Sequence, residues 1–143
     1  MKDKKALVAP CGLDCFNCDL YEDNLTSQLA DLIHEKVGVP KQAIPCKGCH
    51  LQDGEHYHIP PEGCVTLDCV KARGVELCCD CDDFPCAFLA PTADGAAIAP
   101  HNMKVYNLCR IEKVGLDAWI EEVGEIRKRY FANKVVCGKG QAD

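Results

Sequence analysis

The sequence predicts a small, mainly α-helical, cysteine-rich domain with little or no β structure and a helical hairpin near its C-terminal end. Three observations carry that expectation. Thirteen of the 143 residues are cysteine, and most stand in tight pairs. Apolar residues recur at helical spacing in several segments. No stretch shows the alternation of a half-buried strand.

A chain of 143 residues is one domain's worth, enough to bury a modest core. The composition is globular, at 48% apolar and 27% charged, although cysteine inflates the first figure. Residues 1–5 are charged, and the apolar run at 6–10 is too short for a signal peptide. Nothing approaches the ~18 apolar residues of a membrane span. The expectation is a soluble, cytoplasmic protein with no membrane partner.

The elements follow in order. Residues 24–37 carry Leu25, Leu29, Leu32, Ile33 and Val37 on one helical stripe, with Gly38 and Pro40 as the stop. Residues 64–74 read as a short helix ending at Gly74, and residues 84–89 as one further turn or two. Residues 90–100 are an Ala/Pro/Gly connector. Residues 102–114 read as a helix stopped by Gly115. Asp117 then caps a second helix whose inner face is Trp119, Ile120, Val123, Ile126 and Tyr130. Its acids Glu121 and Glu122 lie near the start, and Arg127, Lys128 and Arg129 in the last turn, as the helix dipole favours. One domain over residues 1–143 results: a Cys-rich zone at 10–90, a hairpin at 101–132 and a flexible tail at 133–143. The hairpin is expected to pack on the Cys-rich zone or on the first helix.

The cysteine spacing is the sharpest signal. It runs Cys11-x3-Cys15-x2-Cys18, then Cys46-x2-Cys49, Cys64-x4-Cys69, and Cys78-x2-Cys81-x4-Cys86. Disulfide frameworks belong to oxidising compartments, whereas tight Cys pairs in an intracellular chain point to metal. Two residues between thiolates let one turn aim both sulfurs at a single ion. Two such pairs complete the four-sulfur tetrahedron of structural zinc. Gly12, Gly48 and Gly63 supply the unusual backbone angles that such zinc knuckles need, with Asn17 as the next best substitute. Pro85 holds Phe84 extended ahead of Cys86.

Ten cysteines are therefore candidate ligands: Cys11, Cys15, Cys18, Cys46, Cys49, Cys64, Cys69, Cys78, Cys81 and Cys86. A first site would use Cys15, Cys18, Cys46 and Cys49, with Cys11 as a competitor. A second would use four of the last five, with Cys69, Cys78, Cys81 and Cys86 favoured. Two zinc ions would leave a surplus, which a bridged cluster, a third site or two buried thiols would absorb. Cys79 is expected to face away from its knuckle, Cys109 to be a core residue and Cys137 to lie in a frayed tail. His50, His56 and His58 can all ligate metal, but with enough thiolates present they are expected to stay out. His34 and His101 read as ordinary polar residues.

The ordered series CGLDCFNC, CKGC, the Cys64/Cys69 pair and GVELCCDCDDFPC resembles domain-of-unknown-function family 3795, small prokaryotic Cys-rich proteins credited with zinc binding. The resemblance covers roughly residues 10–90. It implies the same ten recurring cysteines, with Cys79 as an extra, and carries no established activity.

Eight thiolates around two divalent ions would add four negative charges to the formal −6. Asp80, Asp82 and Asp83 are tolerable beside them if they face water, and Lys47, Lys71 and Arg73 would offset part of the charge. Structural zinc contributes on the order of 10 kcal/mol to folding such units, which outweighs screened surface repulsion.

Three functions compete. The first is a structural zinc protein serving as a binding or scaffold module for an unknown partner, a protein being the candidate. The second is an iron–sulfur protein for electron transfer or radical chemistry. Cys11-x3-Cys15-x2-Cys18 has the spacing of three-thiolate [4Fe–4S] radical enzymes, but no barrel of alternating strands and helices accompanies it. The third is a nucleic-acid-binding zinc module. A pI near 5.3 counts against it, since Arg127-Lys128-Arg129 is the one dense basic run. Thiol redox through Cys78/Cys81 lacks the βαβ setting it would want. No Ser-His-Asp set, phosphate loop or dinucleotide motif is present, and the expectation is no catalysis.

Overall fold

The computed structural model describes residues 3–132 and 134–141. It is mainly helical: α1 (Ser27–Val37), α2 (Val65–Arg73), α3 (Lys104–Val114) and α4 (Leu116–Ala132), joined by short 3₁₀ turns. Two two-residue strands, β1 (Val135–Val136) and β2 (Gly140–Gln141), pair antiparallel with Val135 opposite Gln141. The tail expected to fray thus holds a small hairpin. Among the described residues, no helix is long and apolar enough to cross a membrane.

α1 begins three residues later than its periodicity suggests, because two side chains take other work. Thr26 Oγ1 accepts from the Leu29 N–H at 3.2 Å and caps the helix. Asn24 instead donates to the carbonyls of Phe16 and Cys18, each at 2.9 Å, and ties down the first cysteine turn. No α1 residue is buried; Leu32 is 46% and Val37 60% exposed. The expected apolar stripe exists in sequence but has little to cover it.

α3 and α4 form the expected hairpin; α3 packs on the Cys-rich zone at the turn Cys78–Asp80, while α4 packs on the turn at Lys4–Leu7 that precedes the zone. Arg110 clamps Glu122 across the hairpin with two bonds, 2.8 and 2.9 Å. Asp117 is not the cap of α4. It lies inside the first turn and pairs with Lys5 at 2.6 Å. The Tyr130 hydroxyl lies 2.9 Å from the Ala96 carbonyl and 3.1 Å from that of Ala99, fastening the connector to α4.

Two apolar clusters share the interior. One joins Val8 to Ile111, Trp119, Ile120 and Val123. The other joins Leu67, Val70 and Leu89 to Cys78 and Leu108. Leu77 and Cys79 touch both. Cys109, expected in the core, is exposed on α3, one residue round from the buried Leu108.

Candidate metal centre

All thirteen cysteines are free thiols, and nine of the ten candidate ligands gather around two cavities. The smaller cavity is built from three pieces of chain. α2 presents Cys69, the 3₁₀ turn at Cys78–Asp80 brings Cys78 with Cys81 behind it, and Cys86 stands just before the turn at Ala87–Leu89. These four cysteines line a space of about 20 Å³, walled by Val70 and Phe84. That is little more than the volume one water molecule needs, so the space is of single-ion size. The Phe84–Pro85 peptide bond just ahead of Cys86 is cis.

Arg73, at the end of α2, reaches this group. Its Nη1 donates to Cys81 Sγ at 3.1 Å and its Nη2 to Asp83 at 2.5 Å. Asp80, Asp82 and Asp83 are all exposed, so the acids crowding the sulfurs are solvated. Asp80 accepts from the Leu77 N–H at 3.2 Å and holds the turn. Burial, reinforced by neighbouring sulfurs, pushes the Cys78 thiol up to about 12.

The larger cavity, about 520 Å³, is lined by Cys11, Cys15, Cys18, Cys46 and Cys49, together with His56. Its walls come from two cysteine turns held side by side. Tyr21 and Cys46 form a parallel bridge, with Cys46 N–H donating to Leu20 O at 2.8 Å and Glu22 N–H to Cys46 O at 2.9 Å. Gly48 (φ 95°) lets its N–H point back at Cys46 Sγ, 3.5 Å away. Gly12 (φ 84°) sits against α3, where Asn107 Nδ2 donates to its carbonyl at 2.8 Å. Asn17 does not take the left-handed conformation expected of it. It closes a 3₁₀ turn and donates to Asp14 at 2.9 Å.

The thiols of this cavity are unequal. A proton shared between the Cys15 and Cys49 sulfurs raises Cys15 and lowers Cys49. Burial lifts Cys11 to about 11, partly offset by the Lys104 ammonium, and raises Cys46 as well. Lys104, on the first turn of α3, also lines the cavity and pulls Cys49 down. Neither Lys104 nor Asn107 carried a signal in the sequence, because both act across a long loop.

Cys64 is the candidate outside both cavities. It stands at the N-terminus of α2 and packs with the Leu67 cluster. Cys79 faces the apolar interior, Cys137 is exposed in the tail hairpin, and His34 bonds the Val39 carbonyl at 2.8 Å. As the side chains lie, no three His, Cys, Asp or Glu groups among the described residues converge in ligating geometry. Closing on an ion would take rotation of cysteine side chains, which move between staggered positions. The donor set fits such an ion: soft sulfur, gathered from separate segments and free of disulfides.

Fold and thiols together define a cysteine-rich, mainly helical protein. Residues 7–91 match the family described as protein of unknown function (DUF3795), and the chain belongs to that family. No curated protein and no solved structure matches it.

Proposed function

We propose that the chain is a metal–thiolate protein in which zinc is structural and the folded unit serves as a binding or scaffold module. The observation that carries this is the lining of a cavity of about 20 Å³ by Cys69, Cys78, Cys81 and Cys86. Four sulfurs lining a space for one ion supply the donors of a closed tetrahedral zinc site once their side chains rotate inward, and such a site has no open coordination position for catalysis. Bound there, zinc would supply cross-links between α2 and the two segments that follow it. Cys11, Cys15, Cys18, Cys46 and Cys49 supply the donors for further metal.

Free thiols throughout suit a reducing compartment, in keeping with a cytoplasmic protein. Two of the three charges in the basic run are engaged, Arg127 by Asp14 and Lys128 by Glu125. That weighs against phosphate binding and so against a nucleic-acid partner. The exposed apolar side chains Leu32 and Val37 of α1 are the kind of surface a protein partner would cover.

One observation favours a second reading. The larger cavity, about 520 Å³, exceeds what a single ion occupies and carries the Cys11-x3-Cys15-x2-Cys18 series, which suits an iron–sulfur cluster. Anaerobic purification, elemental analysis and a visible spectrum separate the two. A colourless protein holding two or more zincs, which unfolds on chelation, is the expected result. Iron with sulfide and broad absorption near 400 nm would replace zinc by a cluster. A metal-free chain that stays folded with every thiol titratable would overturn both readings.

A further inference from the structure

His56 and His58 stand in the wall of the larger cavity together with Cys18 and Cys46. His56 Nε2 lies 2.9 Å from the Ile44 carbonyl. A carbonyl only accepts, so that nitrogen carries the proton and Nδ1 keeps the lone pair. Donation of the far N–H to a backbone carbonyl is how a metal-ligating histidine is held in tautomer and orientation. The freed Nδ1 faces Nδ1 of His58 in direct contact, with ring centroids 4.4 Å apart. Two imidazole nitrogens meeting this way share either a proton or an electrophile.

The same small region holds two sulfurs. Ile44, which orients His56, is two residues before Cys46, and the Tyr21–Cys46 bridge sets Cys46 beside the chain leaving Cys18. Tyr57, between the two histidines, is within electrostatic reach of the Cys18 and Cys46 sulfurs.

We infer that Cys18, Cys46, His56 and His58, which line one cavity but do not converge as the side chains lie, close by side-chain rotation into a metal centre of their own, of the two-sulfur, two-nitrogen type that zinc accepts. The inference rests on the metal–thiolate reading above and redistributes its donors. Two thiolates balance one divalent ion, so this centre adds no net charge to a cavity crowded with sulfur, whereas a four-thiolate site would add two negative charges. Removing Cys18 and Cys46 leaves Cys11, Cys15 and Cys49 as a set. Cys64, which packs with Cys11 against the Leu67–Leu108 cluster, is its natural fourth member. The ten cysteines and two histidines then divide into three sets of four with no surplus.

Zinc-edge X-ray absorption and elemental analysis of the zinc-loaded full chain test this. The expected result is three zincs per chain in a shell averaging ten sulfurs to two nitrogens. In the double variant His56→Gln/His58→Gln, one zinc of three is lost and the remaining shell is all sulfur. Two zincs with only sulfur neighbours in the unaltered chain would overturn this centre and leave the metal–thiolate reading standing. A chain that binds no metal would overturn both. The unaltered chain decides the question by itself should the double variant fail to fold.

Discussion

Arg127 Nη1 lies 2.8 Å from Asp14 Oδ1, and that carboxylate is completely shielded from solvent. The pair joins α4 to the loop between Cys11 and Cys15, more than a hundred residues earlier. Its second oxygen accepts from Asn17 Nδ2 at 2.9 Å. The C-terminal hairpin therefore holds the first cysteine turn in place by a buried charge as well as by packing. Removing one partner strands the other, at a cost of about 3–5 kcal/mol. Arg127→Met is expected to lower stability by that order in urea titration of the metal-loaded chain. Asp14→Asn combined with Arg127→Met should recover part of it, because no unpaired charge remains. Equal losses in the single and double variants would deny the pair this role.

Gly12 should resist substitution. A Cβ there would stand 2.7 Å from Leu108 Cγ and 3.0 Å from the Lys104 carbonyl, on a backbone with φ 84°. Overpacking of this kind costs about 1–3 kcal/mol, and the left-handed backbone adds to it. Gly12→Ala is expected to drop thermal stability and weaken metal retention in the larger cavity. Gly74→Ala is the control. It has a similar φ of 67° but nothing within 4 Å of its Cβ, so it carries the backbone cost alone.

Neighbouring cysteines should part ways. Cys78 lines the small cavity, whereas Cys79 packs into both apolar clusters. Cys78→Ser is expected to lose one metal ion per chain by elemental analysis. Cys79→Ser should keep full stoichiometry and show only reduced stability. Loss of metal from the second variant would move Cys79 into the ligand set.

Metal loading should release protons. Zinc takes thiolate, and burial holds Cys11 and Cys78 as neutral thiols, at about 11 and about 12. Apparent affinity is expected to rise with pH, roughly tenfold per unit for each proton released. Calorimetric titration in buffers of different ionisation enthalpy measures that number. An affinity flat between pH 6 and 8 would contradict thiol ligation.

The Arg110–Glu122 clamp carries its own pH signature. The hydrogen bond from Arg110 is the largest cause holding Glu122 below the usual carboxylate range. A depressed carboxylate stabilises the fold above its unfolded pKa, and the contribution is lost as pH falls through the lower folded value. Glu122→Gln should therefore lose stability at neutral pH and converge on the parent chain in acid. Both side chains are partly exposed, so the effect is expected to be modest and to shrink in salt.

What the amino-acid sequence determined by itself is local. The C-x2-C spacings, the helix stops at Gly38, Gly74 and Gly115, and the period of α4 all depend on residues within a turn or two of one another. Each was legible for that reason, as was the family series of cysteines. Tertiary structure alone decided which faces are covered. The stripe on α1 is as periodic as that on α4, yet Leu32 stays exposed while Trp119 is fully buried, because the partner layer is supplied by distant chain. Cys109 turns outward and Arg127 inward for the same reason. Cys64 falls outside both cavities, although its spacing is like that of its neighbours. Periodicity states that a helix has a face; only the rest of the folded chain determines what meets it.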